Sequence, residues 1–120
     1  MRIGVVAHKS PPAEEREVIR VDDDMLQAIS GLEAFSHWIV VFQTEIAPPA
    51  PGACATRHRA RPSGLGVAVV EYLRRDDELL YVSGLHARVG DVVLDLQPYV
   101  PERDAAPLAV TTKQSPFEPE

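Results

Sequence analysis

At 120 residues, with 45% hydrophobic and 25% charged side chains, the chain has the size and composition of one folded domain, which excludes wholesale disorder and a second core. A formal net charge of -6, from 12 basic and 18 acidic residues, excludes the sequence-independent phosphate binding of a strongly basic protein, so a nucleic-acid partner must be met by a local patch. No apolar run nears the roughly 18 residues of a membrane span, and the amino terminus lacks the charged-then-apolar layout of a signal peptide. A cytoplasmic protein with no membrane or DNA partner is expected.

In chain order, Ile3–Ala7 is the first predicted strand and Glu17–Val21 the second, both rich in Val and Ile. Acidic residues crowd around the second strand (Glu14, Glu15, Glu17, Asp22, Asp23, Asp24) and read as a solvated face. Asp24-Met-Leu-Gln27 fits a capping box, Met25, Leu26 and Ile29 supply an apolar stripe, and Ser30-Gly31 supplies a stop, which together predict one short helix.

His37–Thr44 is the third predicted strand. The Pro-rich stretch 46–53 cannot be a central strand and reads as a surface loop. Cys54 has no internal disulfide partner and reads as a small buried apolar residue. Arg57, His58, Arg59 and Arg61 form the dense basic cluster. If this run is extended, its three arginines share one side, suited either to an anionic ligand or to guarding a sheet edge. Further strands are predicted at Gly66–Leu73, Leu79–Val82 and Val92–Leu96. The segment after Tyr99, with Pro101, Pro107, Pro116 and Pro119, reads as an extended arm. The sum is an all-β domain, a small closed or nearly closed barrel over residues 1–104, followed by an arm over 105–120.

Several chemistries are set aside. Ser36-His37 resembles a nucleophile beside its base, but neighbours entering a strand are expected on opposite faces, so no serine hydrolase is predicted. His8, His37, His58, His86 and Cys54 lack the short spacings of a zinc site, and no metal is expected. Gly64-Leu-Gly66 leads into the β-branched run 67–70 and not into a helix, so it is no dinucleotide fingerprint.

Ile3-Gly4-Val5-Val6, Gly31-Leu-Glu-Ala-Phe-Ser-His37, Ala55-Thr-Arg57, Arg61-Pro62, Leu65-Gly66, Gly84, Leu94-Asp95 and Pro98-Tyr99-Val-Pro101 with Asp104 occur in this order. On these blocks the chain resembles the YaeB/TrmO-like family (TsaA-like domain) of S-adenosylmethionine-dependent methyltransferases. The resemblance implies a homodimeric β-barrel that binds S-adenosyl-L-methionine near its subunit interface and methylates a nitrogen of an adenosine in tRNA. It further implies that Arg57, Val67 and the loop Gly90-Asp91-Val92 line the cofactor pocket, with Glu45 at a position where the family often has histidine. Arg61, Asp95 and Tyr99 match motif positions expected to organise the reacting end. The chain departs from the family pattern at Ser63 and Gly64, and at His86, Val89, Val92 and Gln97. Two alternatives therefore stand beside tRNA methylation, namely a non-catalytic binding module and a methyltransferase for a small molecule.

Overall fold

The computed structural model describes residues 1–10, 14 and 16–111. Its main strands are β1 (Gly4–Lys9), β2 (Arg16–Val21), β3 (His37–Gln43), β6 (Leu65–Asp76), β7 (Leu79–Ser83) and β8 (Val92–Pro98). They close into a barrel in the order β1-β2-β7-β6-β3-β8, with every neighbouring pair antiparallel. Two short strands, β4 (Glu45–Ile46) and β5 (Ala60–Arg61), pair in parallel outside it. All the predicted strands are present, and the closed barrel agrees with the expected class.

Alternation builds the core. On β3 the inward residues Trp38, Val40 and Phe42 are buried between partly exposed Ile39 and Val41, and they meet Ala68 and Val70 of β6, Leu80 and Val82 of β7, Ile19 and Val21 of β2, Val6 and Val93. Trp38 stacks on Tyr72 with ring centroids 4.7 Å apart. Gly4 has no room for a side chain, because an added Cβ would lie 2.2 Å from the Arg20 carbonyl oxygen of the neighbouring strand.

The predicted helix after Asp24 does not form. Asp23–Met25 and Leu32–Ala34 are 3-10 turns, and the bonds across the segment, such as Ala28 N–H to Met25 O and Leu32 N–H to Ile29 O, span three residues. Met25, Leu26, Ile29 and Leu32 pack on the barrel core, held by these three-residue bonds and not by an α-helical ladder. The Asp22 carboxylate, which could have capped this segment, is instead bound by Arg2 at 2.7 Å. Trp38 fixes the far end by donating its Nε1–H to the carbonyls of Leu32 and Phe35 at 2.9 and 3.1 Å.

Three further expectations are corrected. The segment after Tyr99 begins with a helical turn, α1 (Pro101–Asp104), pinned where the Asp104 carboxylate accepts the Val100 N–H at 2.8 Å; the last nine residues of the expected arm lie outside the described part. Cys54 is exposed, because it sits in the 3-10 turn Ala53–Ala55 of the Pro-rich loop and not on a strand facing the core. Glu17, read as part of a solvated acidic face, is 2% exposed, since it occupies an inward position on β2.

Candidate functional site

The loop from β4 to β6 folds back over the outside of the barrel and borders a cavity of about 600 Å³ that is open on one side. One side is formed by Arg57, His58, Arg59 and Arg61, another by the amino-terminal half of β6 with Leu65, Gly66, Val67 and Val69, and a third by Gly84, Leu85 and His86 after β7. Phe42 and Thr44, at the end of β3, complete it. Gly66 is required here. A Cβ at this position would fall 2.7 Å from the Phe42 ring and 2.8 Å from the Thr44 methyl.

The basic side is not a strand with alternating faces. Only Ala60–Arg61 pairs, and the consecutive residues Arg57, His58 and Arg59 all reach the cavity because the backbone there is irregular. Each arginine is held differently. Arg57 Nη2 donates to the Val67 carbonyl at 2.5 Å, and Arg61 Nη1 donates to the Thr56 carbonyl. Arg59 makes a forked contact with Asp91, at 2.7 and 2.5 Å, and reaches Glu45 at 3.0 Å. Glu45 also accepts from Arg88 at 3.2 Å.

This network sets the local charge states. The hydrogen bond to Asp91 raises the Arg59 pKa above its ordinary value, against the opposing effect of burial. Burial pushes the Asp91 carboxyl up, but the hydrogen bond from Arg59, the Arg88 N–H and the charges of both arginines outweigh it and leave the carboxyl below its usual range. The surroundings of Thr44 differ. Thr44 lines the cavity, whereas its Oγ1 is buried out of reach of solvent and, among the described residues, has no hydrogen-bond partner.

Of the residues singled out from the sequence, Arg57, Arg61 and Val67 line this cavity together. Glu45 and Asp91 stand behind it, joined through Arg59. Gly90, Asp91 and Val92 are not among its lining residues, since Gly90 turns back along β1, its N–H bonded to the Val6 carbonyl at 2.8 Å. The wall comes instead from the other end of the same β7–β8 connection, Gly84–His86. Thr44, Phe42 and this turn were missed. The Gly84 match and the departure from the family pattern at His86 were the available signals.

Asp95 and Tyr99 lie elsewhere. Asp95 faces outward on β8, opposite Val41 on β3, which is itself opposite Val67 on β6. It also borders a second hollow of about 430 Å³ beside Ile29, Leu32 and Phe35. The Tyr99 N–H bonds the His37 carbonyl at 2.9 Å. Ser36 and His37 correct the expectation of opposite faces, since Ser36 Oγ and His37 Nδ1 are hydrogen-bonded at 2.7 Å. Ser36 precedes β3, so strand alternation does not govern it. Both are exposed and neither lines the cavity.

Comparison with known proteins adds the lineage. The family described as the tRNA-methyltransferase O N-terminal domain matches residues 4–105. A "probable S-adenosyl-L-methionine-binding protein" of Methanothermobacter thermautotrophicus is 32% identical over 105 residues, covering 78% of this chain and 76% of that protein. The human tRNA (adenine(37)-N6)-methyltransferase is 30% identical over 101 residues, covering 72% of this chain and 23% of the human protein. The crystal structure of TrmO from Pseudomonas aeruginosa superposes with a TM-score of 0.74 at 29% identity, over 96% of this chain and 62% of that one. The chain thus spans less than two thirds of the latter two relatives. By the extent of the family match and the shared barrel, the chain belongs to the tRNA-methyltransferase O N-terminal domain family.

Proposed function

We propose that this domain binds S-adenosyl-L-methionine in the cavity beside Arg57 and methylates a nitrogen of an adenosine in tRNA, as a cytoplasmic homodimer whose folded unit is residues 1–104. The observation that carries the reading is the cavity itself, where a cationic side and an apolar floor meet. Its volume of about 600 Å³ is in the range of roughly 300–1,000 Å³ usual for small-molecule sites.

The donor set suits that ligand. Arg57 offers a guanidinium to the methionyl carboxylate, Phe42 and Val67 offer apolar surface to the adenine, and the backbone of Gly84–His86 offers polar contacts at its edge. When bound, the cofactor supplies an electrophilic methyl on a sulfonium, so transfer is an in-line displacement that needs orientation and removal of a proton, without metal or covalent enzyme intermediate. Arg61, beside Arg57 on the rim, is placed to hold an RNA phosphate or the reacting end of the substrate. Asp95 is the candidate proton acceptor and Tyr99 its neighbour at the end of β8.

Asp95 is separated from Val67 by two strand spacings, about 9–10 Å, across an outward apolar strip of Ile39, Val41, Leu65, Val67 and Val69. Three of these, Leu65, Val67 and Val69, are 39–50% exposed. A second copy over this strip would cover the open side of the cavity and bring a carboxylate-bearing face against it, which supports the dimer.

Titration calorimetry with S-adenosyl-L-methionine tests the core of the reading; saturable binding is expected, and no heat from a folded protein would overturn it. Transfer of labelled methyl to unmodified tRNA then tests the activity. Binding without transfer would favour a non-catalytic module, the reading to which the position of Asp95 and Tyr99 outside the cavity lends weight.

A further inference from the structure

Among the described residues Glu17 alone is both charged and buried, at 2% exposure. Its carboxylate points at the connection between β7 and β8, with Oε1 accepting the Leu85 N–H at 3.2 Å and Oε2 accepting the His86 N–H at 3.4 Å. Lys9, directly opposite Glu17 in the β1–β2 pairing, donates its Nζ to the Ala87 carbonyl at 3.1 Å. One acid and one base from a single strand pair thus grip three successive residues.

The gripped segment has no strand partner of its own and holds an uncommon backbone. Gly84 has φ of 93° and His86 φ of 57°, the latter in the left-handed region that non-glycine residues seldom enter. Leu85 and Ala87 are fully buried while His86 between them is exposed and faces the cavity. Packing fixes two apolar residues, and the carboxylate fixes the two amides that decide which way the intervening turn faces. Without an acceptor, the buried Leu85 N–H and the part-buried His86 N–H would have to find new partners, and the turn would rotate.

We propose that Glu17 is the positioning residue of the cofactor pocket, holding the Gly84–His86 turn in the orientation that presents its backbone and the His86 side chain to the ligand. This rests on the assignment of the cavity to S-adenosyl-L-methionine. Glu17 touches no ligand and acts through the turn, as a support behind a binding loop does.

The test uses Glu17→Gln, which keeps shape and one acceptor but turns an amide donor toward one of the two N–H groups, with Val21→Ala as a core variant away from the cavity. Glu17→Gln is expected to weaken S-adenosyl-L-methionine binding at least tenfold by calorimetry. Val21→Ala, at an equal or larger loss of thermal midpoint, is expected to stay within twofold of wild type, and Glu17→Asp to recover part of the affinity. In ligand-free protein, amide hydrogen exchange at Leu85 and His86 is expected to accelerate in Glu17→Gln while β3 and β6 stay protected. Unchanged affinity in Glu17→Gln, or a loss matched by Val21→Ala, overturns the positioning role. A wild-type protein that binds no S-adenosyl-L-methionine defeats the assignment of the cavity instead, and unchanged exchange at Leu85 and His86 would then still overturn the grip.

Discussion

Asp91 collects two hydrogen bonds from the Arg59 guanidinium and one from the Arg88 N–H, at 2.5–2.9 Å. The carboxylate form is favoured in the folded protein, and its pKa lies below the ordinary value. The stability it contributes is therefore fully present above the unfolded pKa of about 3.9 and is lost as pH falls through the lower folded value. Asp91→Asn should cost about 1.5–3 kcal/mol at neutral pH, the range for hydrogen bonds to a charged group. The gap to wild type should narrow as urea denaturation is repeated at successively lower pH below about 4; a gap constant down to pH 2 would show that the carboxylate charge is not involved. At this scale the sequence exposes residue type but not company. Arg57 and Arg61 were legible as a basic cluster. That Arg59 is consumed by Asp91 and Glu45 was not, because those partners lie 32 and 14 residues away. Glu17 was misread for the same reason: the acidic residues that crowd around it in sequence suggest a solvated face, whereas its partners in space are backbone amides.

Strands were readable because side-chain alternation is a local rule. The inward set Trp38, Val40 and Phe42 can be picked out of the run His37–Thr44 once one face is assumed buried. The segment between β2 and β3 was misread because the stripe Met25, Leu26 and Ile29 fits an α-helix and 3-10 turns almost equally over so short a span. Trp38 arbitrates, since its indole N–H bridges the carbonyls of Leu32 and Phe35 and so ties the segment to β3. Trp38→Phe keeps an aromatic ring against Tyr72 but leaves those carbonyls without their donor and opens a small void. A loss of about 2–4 kcal/mol is expected, with hydrogen exchange rising across residues 29–35 before the β2–β7 ladder. Uniform loss of protection across the barrel would instead show that the segment and barrel open as one unit.

On the whole molecule, closure of the barrel removes free edges, yet it leaves one outer face apolar where β3 and β6 run side by side. Ile39 sits in the middle of this face, paired with Val69 on one side and Gln97 on the other, and lines no part of the cavity. Isolated exposed apolar residues are ordinary on protein surfaces, but a contiguous strip beside a cavity mouth is the signature of an interface. The sequence could not reveal this, because outward Val and Ile on adjacent strands become one patch only after the register is set. If the strip joins two copies, Ile39→Arg places like charges against each other across a two-fold axis, where the contact is made twice. The variant should elute as a monomer in light scattering of the purified protein, with its far-ultraviolet circular dichroism unchanged. Because the second copy is proposed to close the cavity, affinity for S-adenosyl-L-methionine should fall with it, by roughly tenfold for a loss of about 1.4 kcal/mol. A monomeric variant that binds the cofactor as tightly as the parent would separate the two roles of this face and leave the cavity complete within a single barrel.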